Sequence, residues 1–232
     1  ADYDYFAERG SEAKVIEVIE YSICAIRAIY MRDVLLRPYL GRIIIRTTEA
    51  QDPYVGVASG QPYLSAVRSE WNTNQTDVNP DLVAGISPTK IGGGLAYVSQ
   101  VGTSNKYSVN QTGTGGVFDV VSRHEIGHNW GCGHFLGGAP EGTGIMGGNQ
   151  PGRFSGPEVQ RMLVHRDNKR DLGGILEDEG TFTNVELPPY ASMDSAIFVQ
   201  KIDSAITVEV LANDHDANGQ VISLLSHDSA SA

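Results

Sequence analysis

Long apolar runs are missing from this sequence. No stretch approaches the roughly 20 consecutive apolar residues that a membrane-spanning helix needs. No leader is evident either: Ala1 opens directly onto DYDYFAERG, so an exported form would already have lost its signal. Basic residues are also scarce. Seventeen Lys and Arg against 28 Asp and Glu leave a net charge of −11, which argues against nucleic acid and anionic membranes as partners. Cysteine is nearly absent. Cys24 and Cys132 are the two present, and they fit either one disulfide or two thiols. What remains is an ordinary soluble composition, 41% hydrophobic and 19% charged over 232 residues. That is long enough for one good-sized core with a small appendage.

Read for periodicity, residues 11–35 predict a long helix. Val15, Ile19, Ile23, Ile26 and Tyr30 form one apolar stripe, Ser11 is the N-cap, and Cys24 lies off the stripe. The β-branched run GRIIIRTTE at 41–49 predicts a strand. A helix follows around Tyr63–Trp71, a short strand around Asp81–Ala84, and a glycine-led strand within 92–101. Residues 102–116 read as a polar loop, and 117–131 as a helix. Ser155 and Glu158 make a capping box, with Pro157 in the first turn of the next helix. Alternating helices and strands predict an α/β layer on a twisted, mostly parallel sheet.

Beyond about residue 175 the character changes. An acidic knot, Glu177–Glu179, and a Pro-Pro pair mark a linker over 176–195. From 196 to 232, alternation at Ile206, Val208 and Val210 and the Asn218-Gly219 pair predict the start of a β module that stops short of a full sandwich. Asp214, Asp216, Asn218 and Gly219 imitate the opening of a calcium loop. Leu225 falls where that loop needs a bidentate Glu, so a hairpin turn is the first expectation and a weak Ca2+ site the second.

The chemistry concentrates in HEIGHNWGCGH, residues 124–134, which holds three of the six histidines. His124 and His128 are four apart, which on a helix puts both imidazoles on one face. Gly131 permits the left-handed backbone that ends the helix, and His134 returns as a third ligand. Three protein ligands leave a coordination place open, the arrangement of a catalytic zinc rather than a structural one. Glu125 is the candidate general base and acid for water activated by that ion. A bare HExxH arises by chance in many proteins, but the full HExxHxxGxxH string fixes five positions.

The string resembles the zinc site of the metzincin metalloendopeptidases, with Met146 in Gly144-Ile145-Met146-Gly147 as that clan's downstream Met-turn. The order of segments from Ala13 to Arg166 is similar to the adamalysin (reprolysin) branch. Two features depart from that branch: Phe135 stands where it usually has Asp, and two cysteines cannot make its several disulfides. No tyrosine follows Met146 closely, so a fifth, tyrosine ligand of the kind in astacins and serralysins is not expected. The resemblance implies a metzincin catalytic domain over 1–175 and a secreted zinc endopeptidase that acts on proteins or peptides. It implies that substrate adds as a strand beside Gly94, Leu95, Ala96 and Tyr97. It also implies that the early helix backs the zinc helix, which would let Cys24 and Cys132 pair. VEVLANDHDANG resembles the signature of bacterial cadherin-like repeats. Two other functions stay open: a binding or adhesion protein on a peptidase scaffold, and a narrow protease that processes its own precursor.

Overall fold

The fold was analysed in a computed structural model, which describes residues 1–112, 118–134, 144–147, 152–171, 175–177, 189, 191, 207–216, 219–224 and 226. Its first elements are helices α1 (Tyr3–Arg9) and α2 (Glu12–Val34). Ser11 caps α2 as its sequence position suggests: the hydroxyl accepts the Lys14 N–H at 3.4 Å. Val15, Ile19, Ile26 and Tyr30 of the stripe are buried, whereas Ile23 is half-buried and Cys24 faces solvent. After α3 (Gln61–Asn74) come three strands, β1 (Val83–Ser87), β2 (Gly94–Ala96) and β3 (Tyr107–Gln111), then α4 (Asp119–Asn129) and α5 (Gly156–Asp171).

The strands make one sheet in the order β1-β3-β2. β1 runs parallel to β3 with Val83 opposite Tyr107 and Ser87 opposite Gln111, while β2 is antiparallel, with Leu95 opposite Val109. Among the described residues the sheet is therefore mixed rather than mostly parallel. Tyr107 and Val109 pack with Tyr63, Leu64 and Val67 of α3. A second cluster joins Ile26 and Tyr30 of α2, Ile126 and Trp130 at α4, Met146, and Met162 of α5. The Tyr30 hydroxyl fastens α2 to α4 by donating to the Arg123 carbonyl at 2.7 Å.

Three expectations are corrected here. The central strand β3 lies inside the segment read as a polar loop. Ser108 and Asn110 made it look solvated, yet both are buried, and the Asn110 amide donates to the Gly85 carbonyl at 3.2 Å. The GRIIIRTTE segment is not a sheet strand. Its described ladder bonds go to Ala1, whose amino group donates to the Ile44 carbonyl at 2.8 Å and whose carbonyl accepts the Arg46 N–H at 3.2 Å. A strand needs a partner backbone along its length, and here a cavity of about 1190 Å³ separates residues 40–46 from β1. Finally, Val208 and Val210 do not alternate in a strand; the Val210 N–H bonds to the Val208 carbonyl at 3.1 Å, and residues 210–213 form a turn. Ile206 and most of the linker lie outside the described residues.

Candidate metal centre

α4 carries His124 and His128 one turn apart, both buried, with ring centroids 4.8 Å apart. The helix ends at Trp130, and Gly131 follows at φ +103°, a conformation that L side chains rarely adopt. That bend lets the Cys132 carbonyl meet His128 Nδ1 at 2.7 Å and returns His134 toward the helix. His134 Nε2 stands 3.1 Å from Nε2 of His124 and 3.1 Å from Nε2 of His128. Among the described residues, the group of three or more potential metal ligands is His124, His128 and His134.

The fit to a metal follows from this donor set. Two imidazole nitrogens each about 2.05 Å from a tetrahedral zinc stand about 3.3 Å apart, close to the spacing found. His124 Nδ1 faces the Ile145 carbonyl at 2.8 Å, as His128 Nδ1 faces that of Cys132. Carbonyls only accept, so both Nδ1 atoms hold the proton and both Nε2 lone pairs point to the shared centre. Burial lowers the pKa of His124, and takes that of His128 to about 4, so both rings are neutral, the ligating form, at pH 7. Glu125 is buried beside them, and desolvation pushes its carboxyl up to about 8.

The floor is built from farther along the chain. Gly144–Gly147 form a tight turn in which the Gly147 N–H bonds to the Gly144 carbonyl at 3.0 Å. Met146 lies against the backbone of α4: a Cβ on Gly127 would sit 2.5 Å from its sulfur. Glu158 holds the turn. Its Oε1 accepts the Met146 N–H at 3.1 Å and its Oε2 accepts the Ser155 N–H at 2.8 Å. The second bond is the capping box read from the sequence; the first reaches under the histidines and was not legible there. A Cβ on Gly144 would collide with Oε2 at 1.8 Å, so this glycine makes room for the clamp.

Asn129 was also missed. It is fully buried, and its amide donates to the carbonyls of Tyr97 at 2.9 Å and Tyr107 at 3.2 Å, tying the end of α4 to the sheet. Gly93, Leu95 and Tyr97 turn their polar groups toward β3, so alternation leaves Gly94 and Ala96 facing the other edge of β2. Gly94 adjoins the acid: a Cβ there would lie 2.3 Å from Glu125 Oε1.

The proposed disulfide is replaced by two free thiols. Cys24 lies on the solvent side of α2, whereas Cys132 is buried and its Sγ donates to the Glu158 carbonyl at 3.5 Å. His165 packs its ring on Trp130 at 5.8 Å, away from the cluster. At the calcium-like stretch, Asp216 accepts the Gln220 N–H at 3.0 Å within a turn, which gives Ca2+ no support; Asn218 lies outside the described residues.

Comparison with known proteins agrees with this geometry. No curated protein matches the chain. A solved structure described as "Structure of a chaperone-substrate complex" is similar in fold, with a TM-score of 0.52 and 19% identity. The match covers 71% of this chain but only 33% of that one, so the chain spans a third of that protein's length. The model of Metallo-peptidase family M12B Reprolysin-like matches residues 16–135, more than half of the 232, ending one residue past His134. With three histidines converging inside the matched segment, the chain belongs to the reprolysin-like M12B metallopeptidases.

Proposed function

We propose that this protein is a zinc-dependent endopeptidase in which His124, His128 and His134 hold the ion and Glu125 handles the proton. The observation that carries the reading is the meeting of three Nε2 atoms, with the two helix-borne rings oriented by carbonyls, next to a buried carboxylate. Zinc bound there supplies a Lewis acid and raises the acidity of water. Ionised Glu125, the form that a cation held by the three histidines would favour against the effect of burial, takes the proton of the attacking water as the water oxygen bonds to the scissile carbonyl carbon. The same carboxyl then delivers that proton to the amine nitrogen as the C–N bond breaks. Substrate lies extended along the open edge of β2, where the polar groups of Gly94 and Ala96 bond its backbone. This places the scissile bond beside Glu125, and main-chain recognition accommodates many sequences. Met146 and the Gly144–Gly147 turn act as the Met-turn beneath the ion.

Glu125→Gln tests the assignment. Cleavage of casein should fall by about 10²–10⁴-fold, with one zinc per chain retained by metal analysis. Undiminished cleavage by this variant, or cleavage by the parent that ignores a chelator, would refute the reading.

A further inference from the structure

Three successive glycines, Gly92, Gly93 and Gly94, lead the chain into the edge strand β2. The first two have φ of +74° and +128°, a region that L side chains rarely adopt. Packing does not hold them, because a Cβ added at Gly92 or Gly93 would meet nothing within 4 Å. Gly94 comes next and adjoins Glu125. The placement of this end of β2 against the acid must therefore come from hydrogen bonds, which have to oppose the large backbone freedom of glycine.

One residue supplies those bonds. The side-chain oxygen of Gln111 accepts the Ile91 N–H at 2.9 Å and the Gly92 N–H as well. Two N–H groups need an acceptor, which turns the amide oxygen rather than its nitrogen toward the turn. The backbone N–H of Gln111 donates to the Gly93 carbonyl at 2.7 Å. Three consecutive residues are thus tied to one. Their anchor is firm: Gln111 ends the central strand β3 opposite Ser87 of β1, and the next N–H, that of Thr112, donates to the Ser87 carbonyl at 3.2 Å. The chain on either side of the turn is fixed separately. The Lys90 carbonyl accepts the Gly60 N–H at 3.2 Å, and the Lys90 ammonium meets buried Asp2 at 3.2 Å. Beyond β2, Asn129 holds the Tyr97 carbonyl. Between these fixed points the run from Ile91 to Gly94 depends on Gln111.

We propose that Gln111 is a positioning residue for peptide docking, setting where the open edge of β2 stands against Glu125. The proposal rests on the reading that substrate pairs with that edge. Gln111 acts through the turn: its oxygen fixes residues 91–93, these fix the polar groups of Gly94, and Gly94 receives the substrate backbone. Binding made along the edge is shared by bound substrate and transition state, so its loss raises KM more than it lowers kcat. A residue needed only for folding would instead reduce the amount of active enzyme, which lowers apparent kcat and leaves KM alone.

The test compares Gln111→Met with Gln111→Glu in the full zinc-loaded chain. Met is about as long as Gln but offers the turn no strong acceptor, whereas Glu keeps an acceptor oxygen in place. If Gln111→Met fails to fold, Gln111→Asn, whose oxygen falls one methylene short, takes its place. Kinetics are followed on an extended fluorogenic peptide, with zinc content measured beside them. The acceptor-free variant should raise KM at least about fivefold with kcat within about twofold of the parent. Gln111→Glu should return KM to within about twofold. By NMR, the amides of Ile91 and Gly92 should exchange at least about tenfold faster in the acceptor-free variant than in the parent or in Gln111→Glu. An unchanged KM in a parent that cleaves the peptide overturns this proposal alone. So does a fall in kcat without a rise in KM, or a KM raised equally by the Glu variant. A parent that leaves the peptide intact overturns the proposal together with the endopeptidase reading beneath it.

Discussion

Replacing Glu158 with alanine removes the clamp under the metal centre without touching any histidine. Its two oxygens satisfy two backbone N–H groups, those of Met146 and Ser155, in a fully buried position. Each N–H left unpaired costs about 1–3 kcal/mol, so Glu158→Ala should destabilise the fold by roughly 2–6 kcal/mol. The opposing effect is relief of carboxylate burial, which raised the pKa of this group to about 7. At about pH 4 the group is mostly neutral in both the folded and the unfolded chain, so that relief is small and the unpaired N–H groups win. For a chain of this size, each kcal/mol moves Tm by about 2–4 °C, which gives a fall of roughly 4–24 °C. The displaced turn also carries the Ile145 carbonyl that orients His124. Loss of such an orienting partner weakens metal binding by about 10–100-fold, and the lower end applies because Glu158 acts through the turn. Calorimetry of the metal-free protein at about pH 4 and a competitive zinc titration at about pH 7.5 measure the two effects. A melt within about 2 °C of the parent, together with unchanged zinc affinity, would refute this account of the floor.

Other outcomes follow from the same geometry. Gly94→Ala places a Cβ against the Glu125 side chain. It should lower peptidase activity by at least about tenfold while zinc content stays at the parent level; full activity would show that the edge does not adjoin the acid. Glu158 also predicts a pH dependence. Its folded pKa lies above the ordinary carboxyl value, so its contribution to stability is complete below about pH 4.5 and is lost as pH rises to about 7. The Tm of the parent relative to Glu158→Gln should therefore fall across that window, and a flat difference would contradict it. In the native protein, a thiol reagent should modify exposed Cys24 and spare Cys132, whose burial pushes its pKa well above the ordinary thiol range. Mass spectrometry counts the labels, and none without reductant would restore the disulfide.

The metal cluster was legible because its information is local. Positions 124 and 128 share a helix face by periodicity alone, and Gly131 announces the bend that brings back His134. Ser11 and the Ser155–Glu158 box were legible for the same reason. What escaped depends on distant partners. β3 reads as a loop because Ser108 and Asn110 look polar, yet the Asn110 amide finds its acceptor on β1, 25 residues away in sequence. The isoleucines at 43–45 have strand propensity, but propensity supplies no neighbour, and across from them lies a cavity. Glu158 revealed its helix cap and hid its reach to Met146, because the turn comes from a separate stretch of chain. Cys24 on the early helix and Cys132 just past the end of the zinc helix could be placed near each other from the resemblance, but not given an orientation.

One amide, on Asn129, spans the seam between sheet and helix, gripping the carbonyls of Tyr97 and Tyr107 from the position next to His128. It works as a fixed gauge. On the proposed reading, a peptide laid on the β2 edge is registered against the same framework that carries the imidazoles, so the distance from the docked backbone to the three histidines is set before any substrate arrives. Selectivity among substrates must then come from the side chains flanking that gauge, since the gauge itself has little freedom to adapt.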